Sequence, residues 1–282
     1  LLAGASQIAV FCLLSALIYF TLRIFLNLPK LNKLSHLKHL FFIFFLSIVL
    51  GFSLAAVQIV PTHEFSELSA RAQGLSYEFA SDFSLHPKQA ISFIFPYFFG
   101  NPANGTYWGK GNFWELNGYL GILPLLLASI GAFKRKSLAI TFFILGFFAL
   151  LFSFGKYSFV FPFFYKYILQ FDTFRAPARF LFIYTFSFSI LAGIGVNFLL
   201  ENVSTLKKYL SKILLLLPIG LITSAYLLSN SNVQFYEKYI LNNSYAVGIN
   251  HSSLLSQLRS DAITFFFLLI LFLAVTYLRA KN

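Results

Sequence analysis

The sequence predicts an all-α fold: a polytopic transmembrane helix bundle of about seven spans, with two interfacial or re-entrant segments in its outer loops. Three observations carry this. Hydrophobic residues make up 58% of the chain and charged residues 11%, with mean hydropathy +0.76, a balance foreign to soluble domains. Seven apolar runs, at 2–22, 40–60, 117–133, 138–154, 178–199, 213–229 and 262–278, approach the roughly 20 residues that a helix needs to cross hydrocarbon. The connectors between them alternate between short basic links and longer acid-bearing loops. Residues 1–282 therefore read as a single integral membrane domain.

The first run, Leu1 to Phe20, opens without a charged segment before it, and the chain contains no Met. This predicts an internal transmembrane helix rather than a signal peptide, and a chain that is a portion of a longer protein. Cys12, the single cysteine, excludes an intrachain disulfide.

The second run reaches Pro61 and leads into "VPTHEFSELSARAQG" (60–74). If 63–71 is helical, Glu64, Glu67 and Arg71 share a face by their i, i+3 and i+4 spacing. Such a set can bind sugar hydroxyls, hold a divalent cation or supply a base; it can equally be a solvated helix with an internal Glu–Arg pair. "HEFSE" lacks the second histidine of a zinc helix, so no metal site is assigned. Further along, Pro87 can start a helix in "HPKQAISFIFPYFFG" (86–100), whose apolar stretch is too short to span. The third run follows "NFWELNGYL", which sets Glu115 between Trp114 and Tyr119 at the mouth of a helix. Aromatics beside a carboxylate suit a sugar, which offers a face to stack on and hydroxyls to bond; they also suit an interfacial belt. Glu67, Trp114 and Asn117 are the candidates for sugar or acceptor contact, and Glu64 and Glu115 the candidate catalytic carboxylates.

A second apolar, aromatic stretch, "YSFVFPFFYKYILQF" (157–171), lies between the fourth and fifth runs and is interrupted by Pro162. With 86–100 it forms either the roof of an outer-leaflet cavity or an aromatic belt. Then comes "FDTFRAPARF" (171–180). Pro177 fits the first turn of the fifth helix, placing Arg175 and Arg179 at its N-terminus, where cations are unfavourable without an anion. Arg175 and Arg179, with Arg71, are the candidate phosphate-binding residues: forked guanidiniums over a helix end. The alternative is that they snorkel to bulk lipid phosphates or pair with Asp172.

Charge orients the chain. Arg23, Lys30, Lys33, Lys38, Lys134, Arg135, Lys136, Lys207, Lys208, Lys212, Arg279 and Lys281 lie in the short links and the tail. These are twelve of the 21 Lys and Arg, and they place the links in the cytoplasm. Of the nine acids only Glu201 falls on that side. The loops 61–116, 155–177 and 230–261 are therefore expected outside. Topology and anionic lipid explain the net charge of +12 without nucleic acid as a partner. The sequence also lacks a P-loop, GxSxG, CxxC and a dinucleotide-binding glycine motif.

"AAVQIVPTHEFSELSAR", "FIFPYFFGN", "WELNGYLGILPLLLA" and "FRAPARFLFIYTFSFSILAGIGV", in this order across residues 45–200, resemble the YfhO family of bacterial membrane proteins. That family is similar to GT-C glycosyltransferases. The resemblance implies a multi-pass enzyme of the bacterial cytoplasmic membrane. It would move a sugar from a polyprenyl-phosphate donor to a cell-surface glycopolymer or lipid on the outer face. No cofactor is implied, though a divalent cation is compatible with the carboxylates, and the arginines would hold the lipid phosphate. It further implies a catalytic acid in a first outer loop, upstream of residue 1. Two other classes stand beside it: a transporter or flippase, against which counts the lack of Asp, Glu, Lys or Arg in the interior of any run, and a non-catalytic assembly protein, which needs no acids at helix mouths.

The orientation has a direct check. Cysteines placed at Ser76 and Ser137 should react with an impermeant reagent in intact cells at 76 and stay protected at 137; the reverse pattern would invert the topology.

Overall fold

The computed structural model describes residues 6–27, 34–68, 74–133, 136–168, 171–201 and 251–281. They form α1 (Ser6–Asn27), α2 (Leu34–Glu67), the single turn α3 (Tyr77–Ala80), α4 (Ile122–Ala132), α5 (Ser137–Ser153), α6 (Val160–Tyr167), α7 (Leu181–Glu201) and α8 (His251–Lys281), joined by loops and short 3₁₀ turns, with no strand among the described residues. Three stretches, Ser6–Asn27, Ser35–Glu67 and Pro177–Glu201, are long and apolar enough to cross a membrane. The chain is all-helical and membrane-embedded. Helices α4 and α5 are apolar but shorter, so a bundle of seven spans exceeds what these helices show. The run at 213–229, most of the loop 230–261, and Arg71 lie outside the described residues.

Local chemistry explains where element boundaries differ from hydropathy. The third run was expected from 117, yet α4 begins at Ile122. The Asn117 side-chain oxygen accepts from the Tyr119 N–H at 3.1 Å, a local turn that competes with helix. Gly121 then takes φ +94°, a left-handed conformation that a helix cannot pass through. Conversely, α2 runs through Pro61 to Glu67, well past the expected end. Thr62 spans the interrupted turn by donating its hydroxyl to the Gln58 carbonyl at 2.7 Å. The stretch after Pro87 is a seven-residue 3₁₀ turn, Pro87–Phe93, capped by His86 and Gln89. The second aromatic stretch yields α6, with Pro162 in its first turn.

The packing has two centres. The first is a contact between the backbones of α4 and α7. A Cβ added at Gly131 would lie 2.0 Å from the Leu191 carbonyl oxygen, and one at Gly195 would lie 2.0 Å from that of Leu127. Only glycine permits this approach, the usual device by which helices associate in lipid, where apolar burial gives no drive. The second centre is aromatic. Phe11 of α1, Phe152 of α5, Phe161 of α6, Phe171 and Phe180 are all buried. Phe180 sits 4.8 Å from Phe11 and 4.7 Å from Phe152, ring centre to ring centre, and Phe171 sits 5.7 Å from Phe152. The Phe11–Phe180 pair is edge-to-face, the arrangement that ring quadrupoles favour. The two ends of "FDTFRAPARF" are thus anchored in this cluster, which fixes the arginines between them. By contrast, of the described α2 side chains only Ala55 is buried, and Phe20 of α1 stacks on Phe44 at 4.2 Å.

Substitution at the glycine contact should separate α4 from α7. Gly195→Val is expected to cost about 1–3 kcal/mol, the usual range for overpacking, whereas Gly193→Val, whose Cβ meets nothing within 4 Å, should be near neutral. Thermal unfolding of both variants in detergent checks this.

Candidate functional site

The site grows from the stretch that enters α7. Ala176 adopts φ +61°, and Pro177 begins a 3₁₀ turn, Pro177–Phe180, that continues into α7. This matches the helix start expected at Pro177. The kink directs the two guanidiniums to different partners. Arg179 grips Glu115 bidentately: Nε lies 3.1 and 3.0 Å from the two carboxylate oxygens, and Nη2 lies 2.8 Å from Oε1. Its remaining nitrogen, Nη1, donates to Gln7 Oε1 of α1 at 3.0 Å. The Gln7 amide in turn donates to the Arg175 carbonyl oxygen. Arg175 Nη2 donates to Asp82 Oδ2 at 2.5 Å, and its guanidinium lies against Phe79 (4.1 Å) and Phe83 (4.8 Å). Its buried Nε has no hydrogen-bond partner among the described residues. The aromatic contacts stabilise the cation where hydrogen bonds do not.

Each arginine therefore has its own carboxylate, and neither partner is Asp172. Asp82 reaches Arg175 because the 74–85 segment is tied down. Leu75 N–H donates to the Asp172 carbonyl at 3.0 Å, Tyr165 Oη–H to the Leu75 carbonyl at 2.7 Å, and Leu85 N–H to the Ser153 carbonyl at 2.9 Å. Phe83, at φ +55°, turns the chain so that its N–H donates to Asp82 Oδ1 at 3.1 Å.

Around Arg179 and Glu115 opens a cavity of about 480 Å³ with two kinds of wall. Arg179, Glu115 and Asn117 form a polar end; Ile8, Leu181 and Phe182 form an apolar one. Trp114 stands at its edge, 75% exposed. The structure thus brings together Arg179, Glu115, Trp114 and Asn117. It does not bring Glu64 or Glu67 to them: both are exposed on α2, and Glu67 meets His63 of its own helix at 3.7 Å. Among the described residues no group of three or more His, Cys, Asp or Glu could hold a metal ion.

Three residues escaped the sequence reading. Gln7 is an amide inside an apolar run, the signal that could have marked it. Asp82 looked like any loop acid. Asp261, placed at the outer boundary by the charge pattern alone, is 8% exposed and lines a second cavity. Burial pushes its carboxyl upward, only partly offset by the hydrogen bond from the Tyr97 N–H. No family model matches the chain, and no curated protein or solved structure matches it.

The Arg175 hydrogen bond holds the Asp82 carboxyl below the usual Asp range, against a smaller upward push from burial. A depressed carboxyl stabilises the fold above its unfolded value of about 3.9 and loses that contribution as pH falls through the folded value. Asp82→Asn should therefore lower the thermal midpoint at pH 6 and flatten the wild-type decline below about pH 4.

Proposed function

We propose that the protein is a membrane glycosyltransferase of GT-C type in the bacterial cytoplasmic membrane. It would move a sugar from a polyprenyl-phosphate donor to a cell-surface glycopolymer or lipid on the outer face. The observation that carries this reading is the two-ended cavity at Arg179. A guanidinium fork, a carboxylate and an exposed indole lie at one end, and aliphatic and aromatic side chains at the other. That pattern suits an amphiphile with an anionic head and a hydrocarbon tail. The order of sequence blocks that resembles the YfhO family supports the same class.

The chemistry follows from the pair itself. Each guanidinium nitrogen of Arg179 donates, two to Glu115 and one to Gln7. A phosphate enters by replacing the Glu115 carboxylate on the fork, an exchange of one oxyanion pair for another of matching geometry. Glu115 is then released beside Trp114 and Asn117, where a sugar would lie. In the transfer step an acceptor hydroxyl oxygen bonds to the anomeric carbon as the bond to phosphate breaks, and the hydroxyl proton leaves to a carboxylate. Glu115 is the carboxylate that this cavity offers. Arg175, locked to Asp82 and two phenyl rings, shapes the entry to α7.

Two variants test the reading in the full-length protein reconstituted in liposomes. Glu115→Gln weakens the competitor for the fork, so polyprenyl-phosphate binding should tighten several-fold while sugar transfer falls. Arg179→Lys keeps the charge without the fork and should weaken binding about tenfold, on the scale of one charged hydrogen bond. Unchanged binding in both variants would reduce the pair to a structural tie. Movement of the lipid between leaflets without sugar transfer would instead make the protein a flippase.

A further inference from the structure

We propose that the cavity beside Asp261 is a second site, separate from the arginine cavity, that takes a polyhydroxylated ligand such as a saccharide unit. It measures about 400 Å³, far more than the ~30 Å³ share of one water and within the range of small-molecule sites. Its floor is α8, which carries Asp261 and Thr264, and its walls are the 96–119 loop, with Asn101, Asn117, Phe113 and Tyr119.

The polar groups there are only half used. Asp261 Oδ2 accepts from the Tyr97 N–H at 2.8 Å, while no described residue donates to Oδ1. The side-chain oxygens of Asn101 and Asn117 accept from the Ala103 and Tyr119 N–H groups, while their amide NH₂ groups donate to no described residue. One free carboxylate oxygen and two free amide groups lining the same cavity match hydroxyls, which donate and accept at once. An anion would be repelled by Asp261, and a bare cation would find the amide donors facing it. Phe113 and Tyr119 add ring surface of the kind on which a sugar's C–H face packs.

Asp261 also ties α8 to the loop, and that role alone would explain its bond to Tyr97. It does not explain the idle Oδ1 or the space before it. The tie has other members: Thr106 Oγ1 donates to Gln257 Oε1 at 3.1 Å, and Phe95 packs on Phe265 at 5.5 Å. Asn117 lines both cavities. Where the transferase reading holds, the arginine side takes the donor phosphate and the Asp261 side takes the hydroxyl-bearing acceptor. That pairing rests on the transferase reading; the binding site itself does not.

The test uses the full chain in a detergent without sugar head groups and saturation-transfer NMR, with methyl glucoside, methyl galactoside and N-acetylglucosamine as probes and ethanolamine as the cationic comparison. At least one sugar should receive transfer from the protein. Asp261→Asn preserves an acceptor for the Tyr97 N–H and should weaken sugar binding about tenfold. Thr264→Leu narrows the cavity and removes a hydroxyl from its lining without touching the Asp261–Tyr97 bond, and should weaken the signal. Arg179→Lys should leave sugar binding intact while weakening polyprenyl-phosphate binding, so failure of either site shows by itself. The proposal is overturned by silence from all three sugars in the wild type. Transfer to ethanolamine alone, or a sugar signal indifferent to Asp261→Asn and Thr264→Leu, also overturns it. A sugar signal lost with Arg179→Lys would assign the ligand to the arginine cavity and overturn the second site.

Discussion

A guanidinium at the N-terminal end of a helix adds positive charge where the helix dipole is already positive, so its neighbours must supply the counter-charge. Arg179 meets this demand with partners from two distant segments, Glu115 from the loop before α4 and Gln7 from α1. Gln7 passes the connection on to the Arg175 backbone, and Arg175 to Asp82. The chain of contacts runs from α1 through the entry to α7 and out to two loops. Removing any member leaves a polar group partly buried and unpaired, which costs more than the bond itself contributes. The entry to α7 is therefore held by mutual obligation among charges rather than by helix propensity.

That polar knot sits on an apolar frame. Phe171 and Phe180 plug the two ends of the arginine stretch into the cluster around Phe11 and Phe152, while Gly131 and Gly195 bring α4 and α7 into backbone contact. The aromatic cluster sets the position of the kink at Ala176, and the glycine contact sets the axis along which α7 leaves it. With both fixed, the loop before α4 has little choice but to present Glu115 to Arg179. The cavity between them opens where this loop meets the first turns of α7.

Much of this was legible in order but not in partnership. The apolar runs located α1, α2 and α7, because hydropathy over 20 residues is a strong and local signal. Pro177 marked the start of the fifth helix, because a proline's missing N–H fits there. Arg179 and Glu115 were each marked as candidates, yet nothing in the sequence joined two residues 64 positions apart. Gln7 and Asp82 were harder still, at 172 and 93 positions from their arginines. The late start of α4 was hidden because an Asn-led turn and a left-handed glycine leave average hydropathy almost unchanged. Glu64 and Glu67 share a helix, the condition on which their spacing gave them a common face, but a shared face says nothing about which wall of the molecule that face meets.

The chain contains two tryptophans, and the fold sorts them into opposite environments. Trp108 is 5% exposed and lies 4.6 Å from the Phe99 ring, while Trp114 is 75% exposed at the edge of the arginine cavity. A collisional quencher delivered from the aqueous phase reaches the second indole and is shielded from the first. The quenchable fraction of the intrinsic emission is thus an optical gauge of that cavity's mouth, readable without a label.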